Sequence, residues 1–181
     1  MKKQEGSKNK WVMWTIIGVI VLMALYVGGT YNSLVRLDEN ADTMWGAVQT
    51  AYQRRADLIP NLVSAVKTYT DYEGDLLRDV TEARASVGRA QTPAELGVAG
   101  DQMNSALSRL LVVAENYPNL KASDQFRDLQ AQLEGTENRV KVERDNFNKA
   151  VRDYNIKIRG FPSNLVAGLF GFTKDREYFE A

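Results

Sequence analysis

The chain has 181 residues, room for one ordinary domain plus an additional segment, and its 44% hydrophobic and 25% charged content suits a folded protein. It contains neither cysteine nor histidine, which excludes disulfides, thiol nucleophiles, cysteine-linked lipids and zinc sites built from nitrogen and sulfur ligands. Lys2, Lys3, Lys8 and Lys10 against Glu5 make the first ten residues basic, and the 19 basic and 22 acidic residues left form a mildly acidic body, without the basic face that nucleic-acid phosphates require.

Trp11 to Gly29 reads WVMWTIIGVIVLMALYVGG and holds no charged side chain. At about 1.5 Å per residue such a run nearly crosses a hydrocarbon core of roughly 30 Å. Trp11 and Trp14 stand at one end and Tyr26 and Tyr31 at the other, where amphipathic rings favour the headgroup zone. A cleaved signal peptide has a shorter apolar core and a small-residue cleavage site, and Gly28-Gly29-Thr30 matches that poorly. Residues 11–31 are therefore expected to be an uncleaved transmembrane helix. Four lysines precede it, whereas Tyr31 to Asp42 carries one arginine and three acids. The positive-inside rule then predicts residues 1–10 in the cytoplasm and the body in the periplasm, at the cell inner membrane.

Past the anchor, Leu34, Leu37, Ala41, Trp45, Val48, Tyr52, Ile59, Leu62 and Val66 recur largely at spacings of three and four. That spacing predicts one long helix from the membrane to about Tyr69, bent near Pro60. A second helix is expected from about Asp71 to Ala90, with Leu76, Leu77, Val80, Ala83 and Val87 inward. Thr92, Pro93 and Glu95 form a start signal for a third, which carries Met103, Ala106, Leu107, Leu110, Leu111 and Ala114 to about Tyr117. Pro118 disfavours helical geometry at Tyr117 and stops it. Ser123 is the expected cap of a fourth helix running to Arg159 with Phe126, Leu129, Leu133, Val140, Phe147, Val151, Tyr154 and Ile158 inward. Gly135 lies inside that helix, a position best explained by close packing against a neighbour. No run alternates with period two. The expected fold is all-α, a single N-terminal transmembrane helix continuing into an antiparallel four-helix bundle over residues 32–160.

Residues 161–181 form a tail outside these helices. Its stretch Phe161-Pro162-Ser163-Asn164-Leu165-Val166-Ala167-Gly168-Leu169-Phe170-Gly171-Phe172 is uncharged but too short to cross a bilayer. Folding back over the bundle, dipping into the membrane interface and docking on another subunit all remain open for it.

Several blocks in this order resemble the LemA family, bacterial membrane-anchored helical proteins. They are Tyr31-Asn32-x-Leu34-Val35, Arg54-Arg55-Ala56-Asp57-Leu58-Ile59-Pro60-Asn61-Leu62-Val63, Ala83-Arg84, Ala114-Glu115-x-Tyr117-Pro118-x-Leu120-Lys121, Leu133-Glu134-Gly135-Thr136-Glu137-Asn138-Arg139, Tyr154-Asn155, Phe161-Pro162-Ser163-Asn164, Ala167-Gly168 and Gly171-Phe172. The match covers essentially all of residues 29–181, and Phe147 stands where the family usually has tyrosine. The resemblance implies a four-helix bundle behind one transmembrane helix. For some members it also implies association with membrane-protein quality control and envelope proteases.

Candidate sites are few. Arg54, Arg55 and Asp57 beside Pro60 and Asn61 make the densest polar cluster, read either as a partner-docking hinge or as polar groups that satisfy carbonyls freed by Pro60. Glu115, Asp128, Glu134, Glu137 and Asp145 invite comparison with di-iron bundles, but that chemistry pairs carboxylates with Glu-x-x-His motifs. No calcium loop, G-x-S-x-G elbow or S-x-x-K pair is present. The expectation is therefore a non-enzymatic scaffold without catalytic, metal or cofactor residues. Its expected partners are membrane lipid, further copies of itself and, alternatively, an envelope membrane protease that it adapts or regulates. Interaction candidates are Arg54, Arg55, Asp57, Pro60, Asn61, Phe161, Phe170 and Phe172.

Overall fold

A computed structural model describes residues 5–68 and 74–179, with side chains from residue 10 onward. Among the described residues every regular element is a helix: α1 Glu5–Lys67, α2 Gly74–Arg89, α3 Pro93–Glu115, α4 Pro118–Lys121, α5 Asp124–Arg159 and α6 Ser163–Phe170. The sequence anticipates α1, α2, α3 and α5 closely; the expected ends at Tyr69 and Asp71 lie outside the described residues. It does not anticipate the single turn α4 or the helical form of α6.

The start signals work as their chemistry requires. Thr92 is extended, and its hydroxyl accepts the Glu95 amide at 3.2 Å, while the Glu95 carboxylate accepts the Gln91 amide at 2.7 Å. This reciprocal arrangement satisfies two amides at an end where helices have no internal partners to offer. Ser123 likewise accepts the Phe126 amide at 3.3 Å at the start of α5. α1 continues through Pro60, seven residues short of its end.

The chain forms two compact units, and the division falls inside α1 and α5, so that each helix contributes to both. Unit 1 comprises Met1–Asn40 with Arg152–Asp175, and unit 2 comprises Ala41–Val151 with Arg176–Ala181.

Unit 2 has a conventional core. Ala41, Val48, Tyr52, Ile59 and Leu62 of α1 meet Val80 and Val87 of α2, Leu96, Met103 and Leu110 of α3, and Phe126, Leu133 and Phe147 of α5. The buried positions follow the helical period, as in Leu76, Val80, Ala83 and Val87 of α2. α2 also pairs with α3 at the surface through Asp79 and Arg109, 2.8 Å apart. One close approach is built into this core: a Cβ on Gly100 would stand 2.5 Å from the Tyr52 ring. Gly135 has no such role, and its expected explanation is wrong. It is exposed, and a Cβ there would meet nothing within 4 Å.

Unit 1 is different. Its core is small: Leu34, Tyr154, Ile158, Val166 and Ala167, with Val27, Leu37 and Phe172 packed against it. The α1 residues from Trp11 to Tyr26 are all exposed, and the apolar window within them has none of its residues buried.

Candidate functional site

The anchor is the first feature with a functional meaning. A helix in the core of a soluble protein is apolar because neighbours cover it, yet Trp11 (77% exposed), Ile16, Ile20, Leu22 and Leu25 point outward on every side. A helix that is apolar all round is a buried one, and here none of the described residues buries it; the medium that suits it is hydrocarbon. Its far end is part of the fold. Val27 packs into the unit 1 core, Thr30 is buried, and α1 passes through Gly28 and Gly29 without a break.

At that same end lies α6. The Ser163 hydroxyl lies 2.7 Å from the Lys157 carbonyl oxygen, an acceptor that the end of α5 leaves free, and 2.8 Å from that of Gly160, its single proton serving one of the two at a time. Gly171, at φ 85°, closes α6 in the left-handed conformation, and the Phe172 amide donates to the Ala167 carbonyl at 2.9 Å. Tyr31 meets Phe170 at a 55° tilt with centroids 4.8 Å apart and the edge of Phe172 at 6.0 Å. Val166, Ala167 and Ser163 turn inward; Phe161, Leu165, Leu169 and Phe170 are exposed. Of the candidate aromatics, Phe170 and Phe172 are thus brought together around Tyr31, while Phe161 is exposed. Just beyond, Arg159 forks onto Asp175, with Nε 3.0 Å from Oδ1, and this bond holds the Asp175 carboxyl below its usual range.

In unit 2 the structure splits the polar cluster around Pro60. Arg54, Asp57, Pro60 and Asn61 are exposed; Asp57 accepts from Gln53 at 2.9 Å and lies 3.5 Å from Arg84 of α2. Arg55 turns inward. Its side chain is 7% exposed, and Nη2 donates to Glu137 Oε2 of α5 at 2.6 Å, although Glu137 itself stays 55% exposed. Arg55 Nε and the Asn104 Oδ1 on α3 are buried without a protein partner. Both residues line two neighbouring clefts. One, of about 340 Å³, is bounded by Tyr52, Asp101, Lys141, Arg144, Asn148 and Phe179; the other, of about 210 Å³, by Leu107, Ser108, Gln130 and Glu134. Burial beside Asp101 raises the Tyr52 hydroxyl above its ordinary 10.0, against the pull of Arg144 and Arg55. Besides these charged neighbours the cleft offers an unpaired donor, Arg55 Nε, and an unpaired acceptor, Asn104 Oδ1, a set suited to holding a polar group.

Phe179 closes the larger cleft, a contact the sequence analysis does not anticipate. Asn148 Nδ2 donates to the Phe179 carbonyl at 3.1 Å, and the Phe179 amide donates to Asn148 Oδ1 at 2.8 Å. The ring sits against Trp45 and Phe147 at 5.8 and 5.6 Å, with the Arg144 guanidinium 5.0 Å over its face. Arg176 adds a 2.6 Å bond to Asp42. Among the described residues no group of three or more acidic side chains comes together as a metal site would.

A helical fold, a long apolar helix that no described residue buries and a polar body define a membrane-associated helical protein. The sequence profile of the LemA family matches residues 44–181. The chain belongs to the LemA family. It is also similar to the magnetosome protein MamQ 2 of Paramagnetospirillum magneticum, 24% identical over 202 aligned positions that take in 97% of this chain and 74% of the relative. MamQ of Magnetospirillum gryphiswaldense is 25% identical over 175 positions, covering 82% and 64% of the two chains. Protein LemA of Metamycoplasma hominis is 24% identical over 165 positions, covering 89% and 74%.

Proposed function

We propose that this protein is a non-enzymatic scaffold of the inner membrane that assembles into a homo-oligomer. In this reading residues 1–10 are cytoplasmic, the span crosses the bilayer, and a periplasmic body packs as an antiparallel four-helix bundle. The observation that carries it is the join. α1 leaves the apolar stretch as continuous helix, and Val27, Thr30 and Leu34 are packed into unit 1 at that point. A clamped join fixes unit 1 relative to the bilayer, so weak lateral contacts between copies act together at high effective concentration. The similarity to proteins named as magnetosome proteins supports a membrane-associated role.

The test is mass photometry of protein solubilised in mild detergent, alongside a variant carrying a flexible Gly-Ser linker between Gly29 and Thr30. Assembly predicts species larger than a monomer that diminish in the linker variant. Monomers alone in both samples contradict it.

A second reading, an adaptor or regulator of an envelope membrane protease, draws on the cleft in which Arg55 Nε and Asn104 Oδ1 lack partners. Photocrosslinkers at Arg55 and Phe172 separate the two. Recovery of this chain's own peptides favours self-assembly, and recovery of a protease subunit favours the adaptor.

A further inference from the structure

We propose that α6 is a second membrane contact, a short helix lying in the headgroup zone with Phe161, Leu165 and Leu169 in lipid. This rests on reading Trp11–Gly29 as the span. The position of α6 is set by three contacts at the end of that span. Val27, within the apolar run, packs against the small core to which Val166 and Ala167 of α6 belong; Tyr31, two residues past the run, meets Phe170 at a tilt and the edge of Phe172. If Val27 lies at the edge of the hydrocarbon, α6 lies at the same depth.

The sequence of α6 suits that place. Residues 160–173 carry no charge, with Lys157 and Arg159 before them and Lys174 after. Leu165 and Leu169 are four apart, so they share one helical face, opposite the Ser163, Val166 and Ala167 face that the fold buries. That outer face is 66% exposed at Leu165 and 76% at Leu169, with Phe161 at 83%. In water such a face is a liability. In an interfacial helix it is the buried side, seated about 5–10 Å into the boundary between headgroups and acyl chains. Tyr31 and Phe170 then form an aromatic belt continuous with Tyr26. The interfacial placement also supports the proposed scaffold, because two contacts resist tilting where a single span does not.

Because the chain has no cysteine, single labels are unambiguous. Full-length Leu169→Cys, Ile20→Cys and Val112→Cys variants, each carrying an environment-sensitive fluorophore, are reconstituted into vesicles of phosphatidylethanolamine and phosphatidylglycerol. A nitroxide is placed on the lipids, either near the headgroup or deep in the chains. The expected result is that the Leu169 label loses most of its emission to the shallow nitroxide, the Ile20 label to the deep one, and the Val112 label to neither. If the Ile20 label is quenched and the Leu169 label stays aqueous, the interfacial helix is refuted while the span stands. If the Leu169 label is shielded from water yet untouched by either nitroxide, protein covers the face and the inference fails. An unquenched Ile20 label overturns the span and the inference with it.

Discussion

Units 1 and 2 are built from segments of the same two long helices, yet they place their apolar groups in opposite ways. In unit 2 Val48, Leu62, Leu96 and Leu110 belong to one core, and most charged residues face out, Arg55 and Glu143 being buried. In unit 1 Trp11 to Tyr26 and the outer side of α6 face out, and only a handful of residues around Leu34 and Tyr154 form an interior. Helical period alone does not distinguish these cases. The difference teaches that a helix's apolar surface must be read together with what covers it: an apolar stripe the fold covers suits water on its other side, whereas a long helix left apolar all round suits lipid.

The strongest test of that contrast is a matched pair of truncations. Leu110→Ala, in the unit 2 core, is expected to cost about 2–5 kcal/mol, whereas Leu22→Ala, outward on the anchor, should change unfolding by less than about 0.5 kcal/mol. Denaturant titration followed by circular dichroism in detergent measures both. Equal losses would erase the distinction. Ile20→Lys reverses the sign of the comparison: a lysine at mid-span opposes insertion by about 2.5–3.5 kcal/mol, read as the carbonate-extractable fraction, while the body stays folded.

Smaller effects sharpen the picture of unit 2. Asn148→Ala removes both bonds to the Phe179 backbone and should cost about 1–3 kcal/mol, with faster protease nicking after Arg176 as the local readout. Thr92→Ala removes the α3 cap, for about 1 kcal/mol in the same titration. The smallest effect is a pH dependence. Folding raises Tyr52 above its unfolded 10.0, so the stability it contributes is fully present below that value and is lost as pH rises through the folded value. Tyr52→Phe should flatten this alkaline decline in melting temperature.

Much of the fold is legible in the amino-acid order because helices announce themselves by period and caps. Thr92 with Glu95, Ser123, and the inward faces of α2, α3 and α5 are all found where composition and spacing place them. The anchor is equally plain, since nineteen uncharged residues have few other uses. What escapes has a common cause: it depends on contacts distant in sequence. Arg55 shares the inward face with Tyr52 and Ile59 by helical period, but its partner Glu137 lies 82 residues away and cannot be read from the local sequence. Phe179 sits in a tail without period, and nothing local marks it as the residue Asn148 grips. Gly135 and Gly100 are both mid-helix glycines, but only Gly100 faces a tyrosine ring.

The proposed scaffold requires α1 to leave the lipid without a hinge. Hydrogen exchange of the full-length protein in lipid nanodiscs, resolved over residues 26–40, addresses this directly. Amide protection that continues from Val27 through Thr30 to Leu34 is the predicted result. Exchange at the rate of an unstructured chain anywhere between Gly28 and Asn32 would contradict it.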